Sequence, residues 1–231
     1  PAGLVELART RVVLPAGLPA LLLAVLWALC TRPRRFLAAA VACAHLAGPS
    51  DRGLVPHLAY LVEACLLARW LDGRVQHLHA HFGSNPASVA LLFHVLTGLP
   101  YSFTVHGTET FDNPEAQSLD DKVRHAAFVV SASDFGRGLL YRWSELEFWP
   151  RVHVVRCGVD EGFLGAAPSR PPLAPRLACV ARLSKEKAHL LLVEAAARLA
   201  AEGLEFEIAL VGDGPLRGEI EASIERRGLK G

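Results

Sequence analysis

Apolar and polar positions from residue 177 onward predict a β-α-β unit. Residues 177–181 form a short apolar run, and residues 187–202 carry apolar side chains at helical spacing. Residues 205–211 alternate strictly, which is the pattern of a strand. We expect Gly203 to end the helix and Pro215 to be the first residue of the next one. Parallel strands joined in this way bring the loops that follow them to one edge of a sheet.

A second series of elements is predicted between residues 75 and 155. Residues 75–82 alternate, so that one strand face carries Leu78, Ala80 and Phe82 and the other carries His77, His79 and His81. Ser84 and Asn85 are expected to cap a helix that begins at Pro86 and closes at Gly98. Further strands are predicted at 101–105, 128–130 and 152–155.

These strands run into loops that contain Gly or Ser. In a doubly wound parallel sheet such loops gather at the carboxyl edge, where ligands bind. His106 follows the strand 101–105 directly. We therefore expect His81 and His106 to be close neighbours at the ends of adjacent strands.

Three apolar segments precede this region, at 20–30, 36–46 and 54–71. The first is shorter than the ~20 residues that span a bilayer, so three helices packed on a sheet are the favoured interpretation. The alternative is a peripheral membrane surface, on which Arg32, Arg34 and Arg35 would meet anionic head groups.

Composition limits the possible functions. The chain has 231 residues, of which 52% are hydrophobic and 20% charged, so it can bury a substantial core in one or two domains. The formal net charge of +1 argues against a nucleic-acid binder that relies on phosphate contacts. Five cysteines without a C-x-x-C pair indicate free thiols in a reducing compartment, hence a cytoplasmic location. Because the chain starts at Pro1 and ends within an α/β pattern, we expect it to be a fragment of a longer protein.

A candidate diphosphate site lies at the edge of the β-α-β unit. Arg182 and Lys187 follow its first strand, and Gly212, Asp213 and Gly214 follow its second. Cationic side chains beside exposed backbone N–H groups bind phosphates. Taken singly, these residues are equally typical of a tight turn and of solvated surface charges. A dinucleotide fingerprint is disfavoured, because the third glycine of G-x-G-x-x-G is missing.

The triplet of His77, His79 and His81 has two interpretations. Histidines on one strand face can bind zinc when further ligands are present, for which Asp112, Asp134 and His106 are the candidates. The triplet can equally be one active-site histidine at the strand end with two structural neighbours, which we favour. No metal is therefore assigned.

Five motifs, in order and spacing, resemble the retaining family 4 glycosyltransferases, and most closely their exopolysaccharide and colanic-acid-like branch. The motifs are His79-Ala80-His81-Phe82, Thr104-Val105-His106-Gly107, Cys157-Gly158-Val159-Asp160, Arg182-Leu183 with Lys187, and Val211-Gly212-Asp213-Gly214-Pro215-Leu216-Arg217. The resemblance covers residues 75–231 and fades before them.

The resemblance implies an α/β fold of the GT-B type, in which two Rossmann-like domains face each other across a cleft. The acceptor binds mainly to the first domain and the nucleotide sugar mainly to the second. His106 would lie near the transferred sugar as the catalytic residue, with His79, His81, Gly107 and Ser133 on the acceptor side. Donor binding would fall to Arg182, Lys187, Gly212, Asp213 and Gly214. Neither a cofactor nor a divalent cation is implied, since fixed cations and helix N-termini can stabilise the leaving diphosphate.

Three departures from the family pattern stand out. The glycine-rich first loop of the family is absent, and its E-x-x-x-x-x-x-x-E glutamate pair is expected beyond Gly231. The usual Lys-Gly pair reads Lys187-Ala188, where alanine is expected to narrow the approach of the backbone to a phosphate. We therefore expect this chain to be inactive by itself.

Together these features predict a transferase that moves a hexose from a nucleotide-diphosphate sugar to a glycan or lipid-linked acceptor with retention. The stretch from Gly162 to Pro175, rich in Ala and Pro, predicts a linker. We place it at 166–175, between an acceptor-side domain at 1–165, which includes the N-terminal helices, and a partial nucleotide-sugar domain at 176–231. The expected location is cytoplasmic, with contact to the inner membrane face left open. The alternatives are a non-catalytic nucleotide- or glycan-binding relative and a zinc hydrolase built on the histidine triplet.

Overall fold

A computed structural model describes residues 10–159, 161–165 and 175–229 of the chain. The chain divides between Val159 and Asp160 into two compact units. The predicted linker at 166–175 falls outside the described residues apart from Pro175, so the predicted domain limits stay predictions.

The first unit is built on a four-stranded parallel sheet. Its strands are β1 (Leu78–His81), β2 (Tyr101–Val105), β3 (Phe128–Ser131) and β4 (Val152–Val154). They lie side by side in sequence order, with Leu78 opposite Tyr101 and Ser102 opposite Phe128. The carboxyl ends of these strands therefore meet at one edge, as predicted.

In the described part of the chain, three α-helices precede this sheet, and three more lie between its strands. They are α1 (Leu18–Thr31), α2 (Pro33–Ala47), α3 (Leu54–Leu71), α4 (Asn85–Thr97), α5 (Leu119–His125) and α6 (Asp134–Arg142). Helix α4 connects β1 to β2 and is apolar on nearly all sides, because α2 and α3 pack on it as well as the sheet. The prediction of three N-terminal helices packed on a sheet is therefore right for the helices and wrong for their packing, because they pack mainly on one another and on α4, which lies between them and the sheet.

The core of the first unit lies between the sheet and α4. Phe93, Leu92, Tyr101 and Phe103 are fully buried there. The hydroxyl of Tyr101 donates to the backbone carbonyl of Lys122 at 2.7 Å, which satisfies its one polar atom and attaches α5 to the sheet.

Two local predictions in the first unit are wrong. The strand predicted to reach Phe82 ends at His81, because Phe82 has φ 75° and leaves the pleat with its side chain 46% exposed. The helix predicted to begin at Pro86 under a side-chain cap begins at Asn85, and the Ser84 side chain makes no capping hydrogen bond.

The second unit contains a short helix, α7 (Glu161–Leu164), and the predicted β-α-β unit. The latter consists of β5 (Arg176–Val180), α8 (His189–Ala201) and β6 (Glu207–Val211), and α9 (Arg217–Arg226) follows. The two strands are parallel, and Gly203 follows the end of α8 with φ 81°, as predicted. Pro215 lies in the turn before α9 and not at its first position, which corrects that prediction.

Among the described helices, α3 is the one whose length and composition would allow it to cross a membrane. A core helix meets the same criterion, and Leu61, Ala64 and Leu66 of α3 are buried in the first unit.

Candidate functional site

Three of the predicted site residues lie together at the carboxyl edge of the first sheet. His106, Gly107 and Ser133 line a small pocket of about 110 Å³, together with the aromatic side chains of Phe111 and Phe135. The pocket forms here because β2 and β3 are adjacent and end at the same level. Its size suits one functional group of a ligand more than a whole sugar ring.

His81 and His106 meet as predicted. Nδ1 of His81 and Nε2 of His106 are 2.7 Å apart, and the rings are stacked with centroids 5.0 Å apart. One of the two nitrogens must donate and the other accept, so each ring fixes the orientation of its neighbour. Among the described residues, no hydrogen bond is made by Nδ1 of His106.

His77 and His79 do not hydrogen-bond to this pair, although the ring of His79 meets that of His81 edge to face at 5.2 Å. Both hydrogen-bond to the Ser102 hydroxyl at 2.7 Å, and His79 also contacts the Thr104 hydroxyl at 2.9 Å. Partial burial lowers the pKa of His79, as do the neighbouring imidazoles, first that of His81. His79 is therefore placed to stabilise the sheet face behind the site.

The zinc interpretation finds no geometric support. Within the described ranges, no group of three or more His, Cys, Asp or Glu side chains is arranged to hold a metal ion. The ring nitrogens of His79 already hydrogen-bond to hydroxyl groups, and Nδ1 of His81 bonds to His106.

Ser133 has a structural function in addition to its place in the pocket. Its hydroxyl accepts a hydrogen bond from the backbone N–H of Gly136 at 3.1 Å, which caps the start of α6. The Ser131 hydroxyl donates to the Ser133 carbonyl at 2.9 Å and fixes the same turn. A change at Ser133 would therefore alter the helix start as well as the pocket.

In the second unit the two predicted clusters are in direct contact. The N–H of Leu183 donates to the Asp213 carbonyl at 2.9 Å, and the N–H of Leu216 donates to the Leu183 carbonyl at 3.0 Å. A Cβ on Gly212 would overlap the Ala181 carbonyl, and one on Gly214 would overlap the Leu183 carbonyl. Both glycines are thus required for the packing of one loop on the other, a reason that the sequence did not reveal.

The charged side chains of this loop pair are exposed. Arg182 and Lys187 both lie at the surface near Glu186. The Ser184 hydroxyl donates to Glu186 at 2.6 Å, and this bond, with the Glu186 backbone and the two cations, lowers the pKa of the Glu186 carboxyl. The N–H of Gly214 is occupied by the Asp213 carboxylate at 2.8 Å, so a phosphate would have to displace that contact.

Ala188 is the position at which the sequence departs from the Lys-Gly pair of the family pattern, and its backbone conformation shows why glycine suits this position. Its backbone is in the left-handed region, with φ 53° and ψ 32°, directly before α8. Glycine adopts this conformation without a steric penalty, whereas alanine adopts it at a steric cost. The backbone conformation therefore favours glycine here independently of any approach to a phosphate.

Lys122 was missed at the level of the sequence. Its ammonium group is buried and donates to the carbonyls of Gly83 at 2.9 Å and Ser84 at 3.0 Å, in the loop that leaves β1. Burial lowers its pKa from 10.5 to about 7. The signal was present, since Lys122 occupies a position on the apolar stripe that Leu119, Val123 and Ala126 define.

Comparison with known proteins identifies glycosyltransferases as relatives. The chain is 35% identical over 113 residues to the putative glycosyltransferase EpsF of Bacillus subtilis, covering 45% of this chain and 29% of that protein. It is 28% identical over 158 residues to the 2-deoxystreptamine glucosyltransferase of Streptomyces kanamyceticus, covering 58% of this chain and 40% of the relative. The alpha-D-kanosaminyltransferase of the same organism is 27% identical over 186 residues, covering 71% and 48%. The chain thus spans less than half the length of each relative, and no family model matches it.

A solved structure shows the fold. A variant of TarM from S. aureus, in complex with fondaparinux, alpha-GlcNAc-glycerol and UDP, superimposes with a TM-score of 0.51 at 15% identity. The match covers 73% of this chain and 35% of TarM. The chain therefore has an α/β, Rossmann-like fold of the GT-B type, as predicted.

Proposed function

We propose that this protein is a retaining glycosyltransferase that moves a hexose from a nucleotide-diphosphate sugar to a glycan or lipid-linked acceptor. The sequence similarity to three glycosyltransferases is the observation that carries the proposal. The UDP and the glycan bound to the TarM structure support a nucleotide-sugar donor and a glycan acceptor.

The donor diphosphate is assigned to the second unit. Exposed Arg182 and Lys187 offer positive charge beside the paired loops at the ends of β5 and β6. Fixed cations of this kind stabilise the charge that develops on a departing diphosphate, so the mechanism needs no divalent cation. Displacement of the Asp213 side chain would free the N–H of Gly214 for the donor.

The reacting sugar is assigned to the neighbourhood of His106 in the first unit. His81 occupies Nε2 of His106 and thereby fixes which nitrogen the ring presents. His106 is the proposed catalytic residue, and His81 is a positioning residue that acts through it. Replacing His81 by Phe should change the tautomer of His106 in nitrogen NMR spectra, whereas an unchanged tautomer would contradict this role.

Binding of nucleoside diphosphates tests the donor site. We expect saturable binding of at least one of UDP, GDP, ADP and TDP to this chain by calorimetry. Lys187→Ala should weaken it about tenfold or more, because a hydrogen bond to a charged group contributes ~1.5–3 kcal/mol. Lys185→Ala, which removes an exposed lysine two residues away, is the matched control and should leave affinity unchanged.

The result that would contradict the donor assignment is equal weakening by both lysine variants, or no saturable binding of any of the four nucleotides. In an active preparation, transfer should release the free nucleoside diphosphate and give a product with the anomeric configuration of the donor. Because this chain is expected to be inactive by itself, binding without turnover would favour a non-catalytic relative only if it is also found with the longer protein.

Peripheral membrane contact is proposed for the N-terminal helices. Helix α1 exposes Leu18, Leu22 and Leu26 by 75%, 64% and 56%, and the exposed side chains of α3 add Val55 and Leu58. Of the three arginines predicted to meet head groups, Arg32 pairs with Asp72 at 2.6 Å, whereas Arg34 and Arg35 are exposed. The exposed apolar side chains and these two arginines together support this contact.

A further inference from the structure

A second polar cavity lies in the first unit and shares no lining residue with the pocket around His106. We call it the Ser118 cavity. It has a volume of about 320 Å³ and lies between the loop after α2, the start of α3, the start of α4 and the loop before α5. Its lining includes Asp51, Arg52, Tyr60, Ser88, Asn113 and Ser118.

The cavity contains a buried polar atom without a partner. Ser118 is 3% exposed, and among the described residues its hydroxyl makes no hydrogen bond. Its backbone is fixed, since its N–H donates to the Glu115 carbonyl at 2.9 Å and its carbonyl accepts from the Lys122 N–H at 3.2 Å. A buried hydroxyl without a partner costs roughly 1–3 kcal/mol. The Ser118 oxygen has less than 1 Å² of accessible surface, so a ligand in the cavity recovers that free energy only after the side chain rotates towards it.

The charges of the lining balance. Arg52 and Asp51 are adjacent and of opposite sign, and both are already engaged: the Arg52 guanidinium donates to the Tyr60 hydroxyl at 3.3 Å, and the Asn113 amide donates to Asp51 at 2.7 Å. A phosphate would need an excess of cations, which this lining lacks. A neutral ligand with several hydroxyl groups fits the mixture of donors and acceptors.

Shape and aromatic content agree with that chemistry. About 320 Å³ is within the range of small-molecule sites, which runs from ~300 to ~1,000 Å³. The rings of His57 and Tyr60 meet edge to face at 5.2 Å and, with Leu46 and Ala116, supply the apolar part of a mainly polar lining. A sugar ring has the same combination of apolar C–H faces and hydroxyl edges.

We propose that the Ser118 cavity binds one neutral sugar residue of the glycan acceptor. The proposal rests on the proposed glycosyltransferase function and adds a second contact point for the acceptor within the first unit. Hydroxyl groups of the sugar bond to Ser118, Ser88 and Asn113, and its ring lies beside Tyr60.

The test is an amide NMR titration of this chain with four separate probes: the methyl α-glycosides of glucose, mannose, galactose and N-acetylglucosamine. At least one should give saturable shifts centred on residues 84–88 and 113–118. Ser88→Leu fills the cavity, and Asn113→Ala removes an exposed amide that also bonds to Asp51 and to the N–H of Ala116. The amide spectrum of each free variant should match that of the unsubstituted chain away from the changed position, which shows that the loop is intact. Each should weaken binding about tenfold, equivalent to ~1.4 kcal/mol. Gln76→Ala removes an exposed amide group outside the cavity and should change nothing.

Three results would overturn the proposal: no saturable shifts with any glycoside, shifts centred elsewhere, or affinity unchanged in Asn113→Ala. Inorganic phosphate is titrated separately, and saturable shifts at the same amides without a glycoside response would make the cavity an anion site. Nucleoside diphosphate binding, which depends on Lys187 in the other unit, reports on the proposed function independently of these outcomes.

Discussion

Replacing Ala188 by Gly should stabilise the second unit. An L-residue in the left-handed region costs roughly 1–2 kcal/mol relative to the right-handed one, and Ala188 has φ 53° and ψ 32°. Glycine removes that cost but loses more backbone entropy on folding, which offsets ~0.5–1 kcal/mol. The expected net gain is ~0.5–1 kcal/mol in the free energy of unfolding. Ala188 is exposed, so the change leaves no cavity.

The assay is urea denaturation followed at amide resonances of the second unit. The matched control is Ala195→Gly, at an exposed position inside α8, where the same change should destabilise by about 1 kcal/mol. Two identical substitutions seven residues apart should therefore shift the midpoint in opposite directions. If both lower it, Ala188 is not in the left-handed conformation and the reasoning fails.

Three further predictions concern backbone packing, burial and the exposed apolar surface. Gly212→Ala should destabilise the second unit by ~3 kcal/mol in the same denaturation assay, because φ 151° and the Ala181 carbonyl leave no room for a Cβ. Gly218→Ala is the control, since Gly218 lies in open space on α9, and it should be neutral or slightly stabilising. Burial lowers the pKa of Lys122 from 10.5 in the unfolded chain to about 7 in the folded one, so between these values the folded chain binds fewer protons than the unfolded chain. The free energy of unfolding should therefore rise by ~1.5 kcal/mol between pH 7 and 8.5. Denaturation midpoints of Lys122→Met should lack this rise, and a rise of equal size in that variant would exclude Lys122 as its cause. Vesicles that contain phosphatidylglycerol should sediment with the chain, and Leu22→Glu should reduce that fraction severalfold; an unchanged fraction would exclude α1 from the contact.

The periodic patterns predicted the elements well, because in both units they reflect which side chains are buried. The ends predicted for β6 from its alternation and for α8 from its helical spacing lie within two residues of those in the structure. Adjacency of His81 and His106 could also be predicted, since it follows from parallel strands that end together.

Features that depend on contacts distant in sequence could not be predicted. The packing of Gly212 against Ala181 joins residues 31 positions apart, and glycine by itself does not show whether a ligand or another loop approaches it. The positive φ of Phe82 is equally hidden, because a bulky residue in a strand pattern gives no sign of the turn that follows. The Ser118 cavity combines four separate segments, none of which has a distinctive motif.

The strand order of the first unit has a consequence for biosynthesis. The strands β2, β3 and β4 each pair with the strand that precedes them in the chain. The helices α2 and α3 pack on α4, and all three helices precede β2 in the chain. Leu78 pairs with Tyr101 and Ser102 with Phe128, so each pairing closes a segment of one crossover only. Such a segment costs less loop-closure entropy than pairing with a strand more distant in the chain. As the ribosome extends the nascent chain, each new strand finds its edge already in place, so the unit can assemble in the order in which it is synthesised.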